Sequence, residues 1–267
     1  MTSFLKMHGL GNDFLLLDAR QTPVNLTENQ VRNLADRRTG VGFDQLILIE
    51  PSDTATVRAR FWNSDGSEVP SCGNGSRALA VHLGGDATIE TAGGPLTSYA
   101  SGTQAEVDMG QPRFEWDRIP LAYPLDTLHL PISYDDLTDP AALSVGNPHI
   151  VFEVESAAAV PLDILGPRIE HDPLFPERIN VGVAEIRAPD HIILRVWERG
   201  AGLTRACGTG AVAAVAALQK RGKVGAQVLV SMPGGDLTVR TDAAGHLHLA
   251  GPAIIAYRGE IDLEAFA

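Results

Sequence analysis

Most apolar residues of this chain occur in short runs or alternate with polar ones, which is the pattern of β-strands. One run differs, because Ala211–Leu218 is apolar on every face of a helix and so predicts a buried helix. A shorter apolar run, Ala78–Val81, predicts a second helix that ends near Gly84, and a third is predicted near Glu28–Arg37. The predicted strands are Phe14–Leu17, Leu46–Ile49, Val57–Trp62, glycine-punctuated strands within Thr88–Met109, Ile150–Val154, Ile192–Trp197, Val228–Met232, Leu237–Thr241, His246–Leu249 and Ile254–Tyr257.

Both cysteines of the chain stand directly before such a helix, in the same Cys-Gly-x-Gly frame. Cys72 and Cys207 are separated by 135 positions, and several other residues recur in order at that offset, which indicates a duplicated domain. Beyond the helices the offset becomes 141, because the second helix is longer. The matched positions are Gly11-Asn12 with Gly146-Asn147, Gln45 with Asn180, Trp62 with Trp197, Asn63 with Glu198 and, at the larger offset, Gly93–Thr97 with Gly234–Thr238.

The duplication favours two domains in a chain of 267 residues, a length that would also suit one large domain. We expect residues 1–115 to form a domain that carries Cys72, and residues 252–267 to return to it. Residues 116–251 would form a second domain that carries Cys207. Each half is expected to hold many short strands around one buried helix.

Composition narrows the class of partner. A formal net charge of −12 argues against nucleic acid or an anionic membrane, since either needs clustered Lys and Arg, and it favours a small-molecule partner. No apolar run approaches the roughly 20 residues of a membrane span, and no signal peptide is recognisable, so we expect a cytoplasmic protein. Two cysteines in a reducing compartment are expected to be free thiols.

The first turn of a helix gives each cysteine a chemical setting. Its backbone N–H groups and positive dipole end attract a carboxylate and lower the pKa of a thiol. A single buried cysteine is more often a small hydrophobe, but two cysteines in matched frames favour chemistry. Zinc held by both cysteines and a histidine is disfavoured by the spacing, and no metal is expected. Pyridoxal phosphate would need a lysine, and Lys6, Lys220 and Lys223 lie outside any motif, so no cofactor is expected.

Two thiols on related domains suit the inversion of an α-carbon, which needs a base on one face and an acid on the other. The substrate's α-carboxylate would rest on the N–H groups of Gly73-Asn74 and Gly208-Thr209. The planar guanidinium of Arg199 would bind a distal carboxylate. The plainer alternatives are that Arg199 is a surface charge, that His149 is a core histidine, and that Asn12 and Asn147 only form turns.

The sequence resembles the diaminopimelate epimerase family of racemases that work without pyridoxal phosphate. The motifs that carry the resemblance are Gly9–Phe14, the Cys72 frame, Asn147–His149, Arg178–Asn180 and Glu198–Gly202 leading to Cys207. The family's fold is of α/β (α+β) type, with two pseudo-symmetric domains, each a mainly antiparallel sheet rolled around a central buried helix. The resemblance also implies a homodimer, and conversion of L,L- to meso-diaminopimelate for lysine and peptidoglycan synthesis.

The resemblance further implies residue roles. Cys207 would take the proton from the L,L isomer, Cys72 would return one on the other face, and His149 and Glu198 would hold the protonation states of the thiols. The side chains implied to read the distal amine and carboxylate are Asn12, Gln45, Asn63, Asn147 and Asn180.

Two alternatives stay open beside this reading. Relatives that racemise proline or hydroxyproline tend to have histidine in place of Asn74 and lack the Glu198-Arg199 pair, which favours diaminopimelate. A two-domain amino-acid binding protein without catalysis would not require both thiols. Ser71 departs from the methionine common in the family, and we expect only local packing to change there.

Overall fold

The computed structural model describes residues 1–70 and 72–267, so the expectation about Ser71 lies outside the described residues. Contacts divide the chain into two compact units. The first unit comprises Met1–Asp108 and Ala250–Ala267, and the second comprises Met109–Leu249. The predicted two-domain α/β fold is confirmed.

In the first unit, a mainly antiparallel sheet carries two helices. Strand β1 pairs with both β2 and the last strand, β19. The elements are β1 (Thr2–Gly9), β2 (Asn12–Asp18), α1 (Glu28–Ala35), β3 (Gln45–Glu50), β4 (Val57–Asn63), β5 (Glu68–Val69), α2 (Gly73–Leu83), β6 (Gly85–Glu90), β7 (Leu96–Ser101), β8 (Gln104–Asp108), β19 (Ile254–Ile261) and a 3₁₀ turn (Leu263–Phe266).

The second unit has the same plan and also contains a short two-stranded hairpin near its start. Its elements are a 3₁₀ turn (Trp116–Arg118), β9 (Ser133–Tyr134), β10 (Leu137–Thr138), β11 (Ala141–Ser144), β12 (Pro148–Glu153), α3 (Leu162–Glu170), β13 (Asn180–Ala188), β14 (His191–Glu198), β15 (Gly202–Thr204), α4 (Gly208–Lys220), β16 (Gln227–Met232), β17 (Gly235–Thr241) and β18 (Leu247–Pro252), whose last three residues belong to the first unit.

Strand register repeats between the units at the offsets seen in the sequence. Pairs of Cα partners before the central helices recur 135 positions later, and partners beyond the helices recur 141 positions later. The matching pairs are Phe14–Gln45 with His149–Asn180, Leu46–Trp62 with Val181–Trp197, Trp62–Glu68 with Trp197–Leu203, and Val57–Ile89 with Ile192–Val230.

The central helices α2 and α4 both begin at a cysteine. Cys72 and Cys207 are the N-caps, and each sulfur accepts a hydrogen bond from the backbone N–H three residues on. Helix α4 buries nearly every residue from Gly208 to Leu218, as its apolar sequence predicts. Helix α2 is buried through Ala80 and ends at Gly84, whose φ of 71° favours glycine.

The peripheral helices α1 and α3 are also counterparts at the offset of 135. Helix α1 starts with a capping box in which Thr27 and Gln30 bond each other's backbone N–H. Helix α3 is missed by the sequence prediction because it contains Gly166 and Pro167, two residues that usually interrupt helices. Packing explains it, since Leu165 and Ile169 are buried in the core of the second unit.

The prediction also misses strand β1. Its turn into β2 uses Leu10 and Gly11, both with positive φ. A strand follows the glycines, whereas a dinucleotide-binding motif has a strand before its glycines and a helix after them. None of the helices in the described part of the chain is long and apolar enough to cross a membrane.

Candidate active site

Cys72 lies at the start of α2 beside the ends of strands β3 and β4. Its thiol donates to the side-chain carbonyl of Gln45 at 2.6 Å, and the backbone N–H of Gly75 donates to its sulfur at 3.2 Å. The amide nitrogen of Gln45 in turn donates to Asn63 at 3.0 Å, across paired strands. Cys72 is half-buried, and both Gln45 and the backbone of Gly75 are neutral. We call Cys72, Gln45 and Asn63, with Asn12 and Asn74, the first thiol site.

Asn12 and Asn74 join the hairpin turn after β1 to the first turn of α2. The amide of Asn74 donates to Asn12 at 3.1 Å, and the amide of Asn12 donates to Asp44 at 2.9 Å. Asp44 and Asp13 exchange bonds with each other's backbone N–H, and Arg37 binds both carboxylates. The turn that carries Asn12 is therefore fixed by a charged network rather than by apolar packing.

Asp13 is the most strongly perturbed carboxyl group of that network. Although burial opposes it, hydrogen bonds from Arg37 and Lys6 hold the pKa of Asp13 well below its usual range. Lys6 is buried and also bonds the backbone carbonyl of Gly42. Asp13 therefore stays ionised at neutral pH and anchors the turn beside Asn12.

Cys207 occupies the matching place at the start of α4, but in different surroundings. It is 2% exposed, its sulfur accepts from the N–H of Gly210 at 3.3 Å, and it lies 3.5 Å from the hydroxyl of Thr209. The lowered thiol pKa predicted from the helix N-terminus is wrong for Cys207, because burial first, and then the hydrogen-bonded carboxylate of Glu198, raises this pKa well above its ordinary value, although the N–H of Gly210 lowers it. We call Cys207, Glu198, Thr209, Asn147 and His149 the second thiol site.

His149 connects to Cys207 through a chain of hydrogen bonds. Its Nε2 lies 3.0 Å from the side-chain oxygen of Asn147, and the amide of Asn147 donates to Thr209 at 3.3 Å. Because the Asn147 oxygen acts as acceptor, the His149 proton is assigned to Nε2. Burial first, and then the cation of Arg199, lowers the pKa of His149 to about 3, so the imidazole is neutral. His149 therefore orients Asn147 and carries no charge at neutral pH.

Arg199 lies in a three-residue turn between β14 and β15, which we call the Arg199 turn (residues 199–201). Its backbone N–H donates to the buried side chain of Asn180 at 2.9 Å, and its guanidinium donates to the carbonyl of Glu177 at 2.8 Å. The amide nitrogen of Asn180 donates to the carbonyl of Pro148 at 2.7 Å. Asn180 thus ties the Arg199 turn to the start of β12.

The structure brings the predicted residues together as two groups, one in each unit. In the first unit Cys72, Gln45 and Asn63 form one hydrogen-bonded set and Asn12 and Asn74 form another, and Gly73 is the first helical residue after Cys72. The corresponding second-unit residues are Asn147, His149, Asn180, Glu198, Arg199, Cys207, Gly208 and Thr209.

Sequence reasoning missed Glu170, a buried carboxylate at the end of α3 that binds Trp197 and Gly200 on either side of the Glu198-Arg199 pair. Its role depends on tertiary contacts to Trp197 and Gly200, so no spacing in the sequence indicates it. Within residues 1–70 and 72–267, no group of three or more His, Cys, Asp or Glu side chains is arranged to hold a metal ion.

Comparison with known proteins identifies close relatives. A family model described as "Diaminopimelate epimerase" matches residues 4–115 and 141–256. A protein named diaminopimelate epimerase from Erythrobacter litoralis is 54% identical, with 97% of each chain covered. One with the same name from Zymomonas mobilis is 48% identical, with 99% of each chain covered.

Solved structures share the fold at low sequence identity. A predicted epimerase from Pseudomonas aeruginosa has a TM-score of 0.70 at 20% identity, covering 98% of this chain and 99% of its own. A probable proline racemase from Agrobacterium radiobacter has a TM-score of 0.71 at 16% identity, covering 98% and 93%. These likenesses show the fold alone and do not identify the substrate.

Proposed function

Since this chain belongs to the diaminopimelate epimerase family, we propose that it interconverts L,L- and meso-diaminopimelate by inverting one α-carbon, without a cofactor. The observation that carries the proposal is the pair of free thiols, Cys72 and Cys207, each capping a central helix in a matched frame. A binding protein without catalysis would have no use for two such thiols. The sequence relatives named above support the choice of substrate.

In the proposed reaction one sulfur is a thiolate and the other a thiol. With the L,L isomer, the Cys207 thiolate removes the α-proton, and the Cys72 thiol donates a proton to the opposite face. The reverse reaction exchanges the roles, so atoms and charge balance in both directions. The role of Cys207 as base for the L,L isomer is what the family resemblance implies, and the raised pKa of its thiol means that the thiolate, once formed, binds a proton strongly.

Charge that develops on the substrate's α-carboxylate needs preorganised donors. We assign this to the backbone N–H groups of Gly73-Asn74 and Gly208-Thr209, which lie in the first turns of α2 and α4. Helix geometry supplies no acceptor for such groups, and the helix dipole favours negative charge there. Two helix ends would therefore replace the electron sink that a cofactor provides.

We assign recognition of the distal amine and carboxylate to polar side chains around each thiol. Arg199 would bind the distal carboxylate, while Asn180 holds the backbone of Arg199 in place. Glu198 would control the protonation state of the Cys207 thiol through their hydrogen bond. His149 would influence the same thiol through Asn147 and Thr209. The remaining proposed recognition residues are Asn12, Gln45, Asn63 and Asn147.

We also propose a cytoplasmic homodimer. The free state of both cysteines suits a reducing compartment. Strand β19 exposes Ile254 and Tyr257 at 44% and 49%, and these apolar side chains would contact a second copy of the chain. Light scattering after size exclusion should give the dimer mass, and Tyr257→Ser should lower it; a wild-type monomer at micromolar concentration would contradict the dimer.

The reaction is tested by incubating the purified protein with L,L-diaminopimelate in deuterated water. Chiral chromatography should show meso product, labelled at the inverted carbon from the first turnovers, because the incoming hydrogen comes from a thiol exchanged with water. Unreacted substrate should gain label more slowly. L-proline serves as the control substrate and should remain unlabelled. Comparable turnover of proline would favour the alternative racemase, and absence of both products would refute the proposal.

A further inference from the structure

Glu170 is a buried charged group that the proposed reaction does not use. It is the last residue of α3, is 3% exposed, and has both carboxylate oxygens engaged. One oxygen accepts from the indole N–H of Trp197 at 2.7 Å, and the other accepts from the backbone N–H of Gly200 at 3.0 Å. Arg178 lies at 3.9 Å from the second oxygen. Burying a carboxylate is costly, so its partners indicate what it holds.

The two residues that Glu170 binds flank Glu198 and Arg199 on either side. Trp197 precedes this pair in β14, and Gly200 follows it with a φ of +74°, a left-handed conformation that favours glycine. The carboxylate of Glu170, on a neighbouring helix, therefore bridges Trp197 and Gly200 and spans the Glu198-Arg199 pair. Asn180 holds the N–H of Arg199 from a third direction.

Helix α3 is also shaped to bring Glu170 to this place. Gly166 lies one turn before Glu170 on the same helix face, and a Cβ added there would approach the Trp197 side chain to 2.5 Å. A glycine inside a helix costs about 1 kcal/mol relative to alanine. Here it allows α3 to lie directly against the ring whose N–H the carboxylate binds.

The duplicated unit provides an internal comparison. At the offset of 135, Gly166 and Glu170 correspond to Val31 and Ala35 of α1, which are buried apolar residues. Trp62, the counterpart of Trp197, instead lies under the guanidinium of Arg60 at 4.6 Å. At this helix position the carboxylate thus occurs in the unit whose strand β14 ends at Glu198, directly before Arg199.

From these contacts we propose that Glu170 is a positioning residue that fixes Glu198 and Arg199 for substrate. The proposal rests on the proposed function for its catalytic consequence, while its structural basis lies in the second unit alone. Without the bridge, Arg199 would bind the distal carboxylate less well, and Glu198 would shift relative to Cys207. Misplacement of reacting groups by about 1 Å costs on the order of 10²-fold in rate.

The test compares Glu170→Gln with Glu185→Gln. Glutamine keeps the size of Glu170 but turns one acceptor oxygen into a donor that faces an N–H group. Glu185 is the matched control, because it is also buried in the second unit and binds a backbone N–H, that of Ala157, and Arg187. Glu170→Gln should lower kcat/KM about 10²-fold in the folded enzyme, with a rise in KM for diaminopimelate, whereas Glu185→Gln should lower the melting temperature and leave kcat/KM unchanged.

A second variant covers the case in which Glu170→Gln does not fold. Trp197→Phe keeps one aromatic ring and removes the N–H donor together with the second ring of the indole, so kcat/KM should fall at least about 5-fold, the equivalent of one hydrogen bond. In the Glu170→Gln background, Trp197→Phe should add little, because a glutamine that cannot accept from Gly200 has already opened the bridge between Gly200 and Trp197. Equal losses of kcat/KM in Glu170→Gln and Glu185→Gln, or a full additive loss in the double variant, would overturn the positioning role.

A readout without substrate separates this inference from the proposed function. Amide hydrogen exchange at Gly200 should be about 10-fold faster in Glu170→Gln than in wild type or Glu185→Gln, because its acceptor is lost. Unchanged exchange at Gly200 would refute the bridge, even in an active epimerase. If exchange at Gly200 were faster in Glu170→Gln but the wild-type protein did not epimerise diaminopimelate, the proposed function would be refuted and the bridge would stand.

Discussion

The two thiol sites share a backbone frame but place their sulfurs in different surroundings. In the first, the half-buried Cys72 donates to the neutral amide of Gln45; in the second, the buried Cys207 lies beside the carboxylate of Glu198. Glu198 occupies the position that Asn63 holds in the first unit. The comparison teaches that helix start and strand register present the thiol, while single side chains on neighbouring strands set its charge environment.

A second difference lies in where each unit buries an ionisable group. Helix α2 contains the fully buried Arg77, which donates to Asn74 at 2.9 Å, whereas the matching residue of α4 is Val212. Conversely, the buried His149 of the second unit matches Phe14 of the first. Asn12–Asn74 and Asn147–Thr209 are nevertheless bonded in both units. The polar connection between turn and helix is retained although the chemistry around it changes.

The largest expected effect tests whether both thiols are needed. Cys72→Ala and Cys207→Ala should each lower the rate of inversion by on the order of 10⁴-fold, since alanine neither accepts nor donates a proton. Substrate binding, measured by calorimetry, should be retained. In deuterated water the remaining thiol should still exchange hydrogen on its own face. Near wild-type epimerisation by either variant would break the two-thiol comparison.

The next effect concerns the histidine that distinguishes the second unit. The pKa of His149 is lowered to about 3 in the folded protein, against about 6.5 when unfolded, so between these values the unfolded chain binds a proton that the folded chain does not. Stability should therefore fall as pH falls from about 6.5 towards 3, by up to roughly 4–5 kcal/mol. Urea unfolding across this range measures the effect.

His149→Phe, which copies Phe14, should remove this part of the pH dependence. The matched control is His171→Phe, an exposed histidine at the end of α3, which should leave the slope unchanged. An unchanged slope in His149→Phe would show that the acid sensitivity has another origin.

A smaller effect should follow removal of the charge beside Cys207. Glu198 raises the pKa of this thiol second only to burial, so Glu198→Gln should lower that pKa. The pH profile of Cys207 alkylation, read by mass spectrometry, should move to lower pH. Cys72 in the same sample is the internal control, and its profile should stay in place. If neither profile moved, the electrostatic contrast between the sites would be wrong.

The smallest effect is expected where the two frames differ by one side chain in the helix start. Thr209→Asn reproduces the Cys-Gly-Asn-Gly sequence of the first unit, and a new amide would replace the hydroxyl bonded to Asn147. Stability should change by less than about 1 kcal/mol, the value of one hydrogen bond. The pKa of Cys207 should rise further, since the Thr209 hydroxyl lowers it. A loss of several kcal/mol in urea unfolding would show that the frames are not interchangeable.

Much of the fold could be predicted because local sequence patterns recur at a constant offset in the two halves of the chain. The all-apolar run before Leu218 predicted the buried helix α4, and the offset of 135 recurs in the strand register. Helix α3 could not be predicted, because Gly166 and Pro167 oppose a helix locally and only packing against Trp197 and the core favours it. Strand β1 was missed because only the glycine-containing turn after it was recognised in the sequence.

The candidate sites were predictable only in part. Cys72 and Cys207 followed from their frames, and within each unit the predicted polar residues contact one another or a thiol. Glu170 was missed because its meaning depends on tertiary contacts to Trp197 and Gly200, which no spacing in the chain announces. The roles assigned to these residues stay predictions until the variants are measured.

The pairing of β1 with β19 has a consequence for how the protein is made. The first unit holds both the earliest and the latest strands, with Thr2 opposite Ile261, whereas the second unit is contiguous from Met109 to Leu249. Since domains fold as their segments leave the ribosome, the second unit should be complete while the first still waits for its closing strand. A purified chain truncated after residue 250 should protect the amides of α4 from exchange but not those of β1; protection of β1 in that chain would contradict this order of assembly.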